Sequence, residues 1–392
     1  MKKDLFHLPK GIVYLDGNSL GPLPVNAVER VSDTMSNQWG EMLITAWNRA
    51  GWLDLASVLG DRVGRIIGAP SGSTVLGDTL SIKVYQAMAA ALALKPDRKS
   101  VLSDTGNFPT DLYMVNGLFT SLNQGHSLKL VEPEQVLDSI NSDLAAIILT
   151  HVDYRTGRMH DMEKISRAAH DAGAVMIWDL AHSAGAVPID MSASGAEFAV
   201  GCTYKYLNGG PGAPAFISVR PDIIDQIEPA LSGWFGHEAP FDFELDFRPA
   251  KGIERLRVGT PPVLQMKALE AALDIWDQVD MADIRKKSIE LCELFIAEVE
   301  RICPQFELAS PRDASQRGSH VSFRFEHGYA VMQALIAAGV IGDFRAPNIM
   351  RFGFTPLYID EHDVMLAVEK LANIMTGNKW DAPQFHQRQK VT

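Results

Sequence analysis

Short apolar runs alternate with amphipathic stretches along most of the chain. Runs of strand length lie at 100–103, 127–131, 145–150, 174–178, 198–203 and 215–219, each bounded by polar residues or glycine. Between two of them, from Asp161 to Ala172, apolar residues recur at Met162, Ile165, Ala168 and Ala169. That spacing predicts a helix, and Gly173 supplies its stop. Strand, helix, strand predicts a parallel pair, and its repetition predicts an α/β fold: a mostly parallel sheet sandwiched by helices, with ligands beyond the C-terminal strand ends.

After Pro261-Pro262 the pattern changes. Helices are expected at 263–279 and 281–302, then an apolar run at 320–325, a helix at 330–338 and a last helix at 361–375, which together make a smaller α+β unit. The expected division is an N-terminal segment over 1–45 that serves both the active site and the small domain, a large domain over 46–262, a small domain over 263–376, and a tail over 377–392. The tail lacks apolar periodicity and is expected to be extended or frayed.

Composition narrows the function classes. The 392 residues are 46% hydrophobic and 21% charged, as in a globular protein, and Lys+Arg 36 against Asp+Glu 48 leaves a net charge of -12. That charge opposes nucleic acid and anionic lipid as partners. Cys202, Cys292 and Cys303 have neither zinc spacing nor a disulfide framework, so no metal is expected and a reducing cytoplasm fits best. The N-terminus never reaches the roughly 7–15-residue apolar run of a signal peptide, and no stretch reaches the roughly 18 apolar residues of a membrane span.

The chemistry concentrates after the strands. Asp179, in Trp178-Asp179-Leu180-Ala181-His182, and Lys205, in Thr203-Tyr204-Lys205-Tyr206, each follow an apolar run and would face one crevice. A lysine there can form a Schiff base with an aldehyde cofactor, and a carboxylate at a neighbouring strand end can hold a pyridine nitrogen protonated. Asp179 alone reads equally well as a helix N-cap. A lysine between two tyrosines and ahead of Asn208-Gly209-Gly210-Pro211-Gly212 does not read as a solvated charge, because those glycines let the backbone approach a ligand.

Asp-x-Ala-His, a strand and then Tyr-Lys resembles the fold-type I pyridoxal 5′-phosphate (PLP) enzymes. Further motifs narrow the resemblance to the kynureninase family: Tyr14-Leu15-Asp16-Gly17-Asn18-Ser19-Leu20-Gly21, Asn107-Phe108-Pro109-Thr110-Asp111, and Gly233-Trp234-Phe235-Gly236-His237. The resemblance implies PLP on Lys205, Phe108 stacked on its ring, Asp111 near its phenolic edge, and Asp179 on the ring nitrogen. His182 and Thr150 join that shell. Leu80, Ser81, Tyr204 and Trp234 would hold the phosphate, with Thr260 reaching across a homodimer interface.

For the substrate, the resemblance implies an Arg351 clamp on the α-carboxylate, with Ser19 and Trp47 lining the pocket for the aromatic ring. Tyr204 would deliver a proton. The implied reaction is hydrolysis of L-kynurenine, or its 3-hydroxy form, to anthranilate or 3-hydroxyanthranilate and L-alanine, within tryptophan breakdown or NAD biosynthesis. Two alternatives stay open: another reaction on the same scaffold, such as desulfuration or transamination, and a PLP-binding sensor without turnover. Bland readings also stand: Arg351 as a structural ion pair, Trp39, Trp47 and Trp52 as core, His160, His170 and His237 as structural or surface residues, and Lys286-Lys287 as a solvated face.

Overall fold

A computed structural model describes residues 2–389. Its centre is a seven-stranded sheet: β1 Thr74–Leu76, β2 Ser100–Asp104, β3 Ser127–Val131, β4 Leu144–Thr150, β5 Val175–Asp179, β6 Phe198–Cys202 and β7 Ala215–Val219. The strand order is β1-β7-β6-β5-β4-β2-β3. The run from β6 to β3 is parallel, while β7 is antiparallel to both β6 and β1. The six runs read from sequence are strands. β1 was not foreseen, being three residues long.

The central strands are buried along their whole length, which is why they read as continuous apolar runs rather than alternating ones. The helices α1 Val25–Asp33, α2 Leu55–Ile66, α3 Leu80–Leu94, α4 Pro109–Leu122 and α5 Met162–Asp171 belong to this body. Asp161 caps α5 by accepting the Lys164 N–H, and Gly173 follows in the left-handed region at φ 71°.

Beyond it, α6 Val263–Trp276 and α7 Met281–Ile302 lead into a four-stranded antiparallel sheet: β8 Glu307–Leu308, β9 His320–Arg324, β10 Asp343–Arg345 and β11 Ile349–Gly353, in the order β8-β9-β11-β10. The helices α8 Gly328–Ala337 and α9 Glu361–Thr376 accompany it. α6 packs on α1 and α2, on the side of the large sheet, whereas α7 packs on α9. The N-terminal segment pairs Val13–Tyr14 with Val340–Ile341, which ties it to the small unit.

The tail departs from expectation. It folds into two short 3-10 turns, Lys379–Asp381 and Pro383–His386, and docks beside α8. The Trp380 ring stacks on His327 at 4.8 Å, and the Tyr329 hydroxyl donates to the Gln387 carbonyl at 3.0 Å. A few scattered anchors suffice to dock a segment and leave no periodic trace in sequence. Residues 390–392, the last part of that expected tail, lie outside the described residues.

Candidate active site

The parallel strands deliver their chemistry at their C-terminal ends. Thr150 ends β4 and Asp179 ends β5, and the two pair in register. Both are buried, and the Thr150 hydroxyl lies 3.4 Å from Asp179 Oδ2 and 2.5 Å from Asn107 Oδ1. The Ala181 N–H donates to Asp179 Oδ1 at 2.8 Å. Asp179 therefore does cap the turn that follows it, through one oxygen. Its other oxygen faces Thr150, and the carboxyl also meets Asp111.

Asp111, at the start of α4, is buried and shares a hydrogen bond with Asp179. Burial, then the negative charge of Asp179, pushes the Asp111 carboxyl well above the ordinary carboxylate range. Asp179 is also raised by burial, against the opposing pull of the Lys205 charge and its own donors. Two carboxyls side by side in a dry site share one proton, and Asp111 holds it here. The structure sets Asp111 against Asp179.

Lys205 follows β6. Its amino nitrogen lies 3.1 Å from His182 Nε2, 5.9 Å from the centroid of the Phe108 ring and 5.8 Å from that of Tyr204. Burial, with the charges of Lys205 and Arg351 added, holds His182 well below the usual imidazole range. After the lysine, Asn208 and Gly210 take φ of 58° and 85°, a tight reversal that returns the chain to β7. The N-terminal segment closes over this loop. The Gly21 N–H donates to the Tyr204 carbonyl at 2.8 Å, and a Cβ on Gly21 would meet the Lys205 carbonyl oxygen at 2.5 Å.

A cavity of about 560 Å³ opens here, lined by Ser19, Leu80, Ser81, Phe108, Asp111 and Tyr204 among others. At its other end α3 begins, with Leu80 and Ser81 in the first turn and no side chain capping it. Free N–H groups at a helix start suit an anion. Burial of Tyr204 beside Cys202 raises its phenol, the thiol being the larger cause, so the hydroxyl stays protonated.

The small unit contributes the arginines. Arg351 on β11 faces Asp343 on β10 in register. Its Nε donates to Asp343 Oδ1 at 2.8 Å, its terminal nitrogens reach Ser19 Oγ at 2.8 Å and the Tyr154 carbonyl at 2.5 Å, and one also binds Asp343 Oδ2. Arg345 adds a second guanidinium, 2.6 Å from Asp343. Arg351 is thus a buried ion pair whatever else it does. Ser19 sits with this arginine.

Three expected members stand elsewhere in the single chain. Trp47 packs between Trp52 and Phe235, and Trp234 lies against Phe235 and Phe241, 41% exposed. Thr260 is exposed. None of the three lines the cavity. Asn107, Asp343, Arg345, His320 and Asp16 were not singled out from sequence. Asn107 lay inside a quoted motif, and the Asp343-x-Arg345 alternation places both side chains on one strand face. Only the β10–β11 register brings them to Arg351.

His160, set aside earlier as structural or surface, is a buried structural residue, with its Nε2 at 2.6 Å from Asp104. His170 lies 3.2 Å from Glu197, and His237 accepts from the Ala239 N–H at 2.9 Å. A larger cavity, of about 760 Å³, is lined by His151, Arg158, His160 and Lys164 among others, and by none of the residues placed around Lys205.

These residues fit PLP: a lysine, an aromatic face, a carboxylate pair behind it and an uncapped helix start. Asp111 lines the cavity and its buried Oδ2 has no partner among the described residues, as expected where a polar ligand supplies one.

Comparison with known proteins bears on the same point. Residues 284–371 match the kynureninase C-terminal domain. The chain is 49% identical to a kynureninase from Pseudomonas fluorescens over 99% of this chain and 95% of that one. It is 48% identical to a kynureninase from Burkholderia pseudomallei (strain 1106a) over 100% and 95%. Among solved structures, a cysteine desulfurase from Thermococcus onnurineus NA1 superposes with a TM-score of 0.81 at 19% identity, covering 96% of this chain and 98% of that one. A cysteine desulfurase from Escherichia coli gives 0.80 at 19% identity, covering 95% and 97%. The two desulfurases share the fold, and the full-length identity assigns the lineage: the chain belongs to the kynureninase family.

Proposed function

We propose that this protein hydrolyses L-kynurenine to anthranilate and L-alanine, with PLP held at Lys205. The observation that carries the reading is that Phe108 and Asp111 line one cavity with the start of α3, with Lys205 beside the first and Asp179 bonded to the second, in a chain of this family. When bound, PLP supplies a carbonyl for the substrate amine and a protonated ring that draws electrons from Cα.

The protein's own groups do the rest. Asp179 keeps the ring nitrogen protonated, and Asp111 beside it carries a proton of its own. Lys205 moves the proton at Cα, with the neutral His182 at 3.1 Å to receive its N–H. Arg351 and Ser19 orient the α-carboxylate. Water adds to the γ-carbonyl, the Cβ–Cγ bond breaks, and the carbonyl carbon leaves as the carboxylate of anthranilate. The Tyr204 phenol, protonated and at the cavity wall, delivers the proton that Cβ needs.

A homodimer completes the site in this reading. Trp234 and Thr260 are exposed, as residues that serve a partner's cavity must be in one chain, and apolar Leu43 and Ile44 stand 63% and 78% exposed. The pathway is tryptophan breakdown or NAD biosynthesis, in the cytoplasm. No described helix is long and apolar enough to cross a membrane. Desulfuration finds no support, since all three cysteines are buried and none offers an exposed thiolate. A sensor without turnover has no need of both Lys205 and Asp179.

The test is to incubate PLP-loaded protein with L-kynurenine and, separately, 3-hydroxykynurenine. Equal amounts of aromatic acid and alanine are expected, and the two rates rank the substrates. A coloured, cofactor-loaded protein that releases neither product rejects the reading.

A further inference from the structure

The group around Arg351 contains one acid that the proposed reaction leaves unused. Asp16 Oδ1 is buried without a hydrogen-bond partner. From the small sheet Asp343, Arg345 and Arg351 face it, from its own segment Ser19 and Tyr14, and from beyond Lys205 and β11 the phenols Tyr206 and Tyr358. Burial raises all three phenols, so they are neutral. His182 and His320, near Arg351, are kept neutral by burial too.

The charges therefore balance as two carboxylates against two guanidiniums. Asp343 is fully engaged, accepting from Arg351, Arg345 and Ser19. A third carboxylate brought against Arg351 would leave an uncompensated negative charge in a poorly hydrated place, which is costly. Asp16 shares the single Ser19 hydroxyl with Asp343 and keeps one buried oxygen with no donor, so it is the group that relieves that cost by protonation. Burial, then the charge of Asp343, already pushes Asp16 up to about 7.

We propose that Asp16 is a positioning residue of the carboxylate subsite, taking up one solvent proton when the α-carboxylate of an amino-acid substrate settles against Arg351. The inference rests on the reading of Arg351 as the carboxylate clamp. It gives the subsite a selectivity for amino acids with a single carboxylate there, bound best while Asp16 is neutral.

The experiment compares KM for L-kynurenine in wild-type holoenzyme and in Asp16→Asn, whose amide is always neutral, from about pH 6 to about pH 9. Every other titration is common to both proteins, so the ratio of wild-type to variant KM isolates Asp16. That ratio is expected to rise about tenfold per pH unit above about 7. A flat ratio, with turnover intact, removes the role of Asp16 and leaves the function standing. Absence of wild-type turnover at every pH removes both.

Should the variant not fold, the wild-type inhibition constant for propionate, a carboxylate without an amine, answers the same question. It is expected to weaken about tenfold per pH unit above about 7. Inhibition independent of pH overturns the proposal.

Discussion

The amino nitrogen of Lys205 lies 3.1 Å from Nε2 of His182, a ring that burial keeps neutral. The lysine thus has a neutral acceptor beside it and two aromatic rings nearby, and no carboxylate among the described residues binds it directly. Replacing Lys205 by Ala removes the group that moves the Cα proton. Kynurenine turnover should fall by at least about a thousandfold. A rate within about tenfold of wild type would contradict the assignment.

Asp179 and Asp111 share one proton, yet they are not equivalent. Asp179 accepts from Ala181 and faces Thr150, whereas Asp111 keeps an unpartnered oxygen. Asp179→Asn removes the charge that holds the ring nitrogen protonated and should lower kcat by about a hundredfold or more. Asp111→Asn imitates the protonated acid and should cost less than about tenfold. Steady-state kinetics on the two variants checks this. Equal losses would place the working charge on both.

Gly21 has no room for a side chain. Its Cβ would meet the Lys205 carbonyl at 2.5 Å and Asn208 Cα at 2.6 Å, both backbone atoms. Gly21→Ala should force the 14–21 segment off the lysine loop, lowering stability by about 1–3 kcal/mol. Denaturant unfolding of the variant, alongside its KM, tests the point. A variant as stable as wild type with unchanged KM would show that the contact is dispensable.

His151 is buried behind Thr150, and burial pushes it from 6.5 down to about 3. The unfolded chain binds this proton below about 6.5 and the folded chain does not until about 3, so acid favours unfolding across that window. In His151→Gln this contribution is absent. The stability of the variant relative to wild type should improve by about 1.4 kcal/mol per pH unit as pH falls below 6.5. Denaturation curves at several pH values measure it, and a difference independent of pH would contradict the buried neutral ring.

Much of this was legible beforehand, for physical reasons. The buried parallel strands have to be continuous apolar runs, so they announced themselves, and strand ends carrying Asp179 and Lys205 announced the crevice. β1 did not, because three residues carry no period, and β7, though read as a strand, gave no sign of its reversed direction, which is not written in composition. Asp343 and Arg345 escaped because they meet Arg351 only through the pairing of β10 with β11. Trp47, Trp234 and Thr260 were named from the family resemblance but stand away from the cavity of their own chain, which the proposed dimer explains by sharing the site between two copies. The tail was misjudged because it docks through scattered contacts, Trp380 on His327 and Gln387 on Tyr329 among them, which carry no period.

The most direct test of the central claim is to reduce the PLP-loaded protein with borohydride, digest it and locate the attached pyridoxyl group by mass spectrometry. The group should be found on the peptide containing Lys205. Its attachment to the buried Lys83 or to any other lysine, or its absence from a fully loaded protein, would contradict the account.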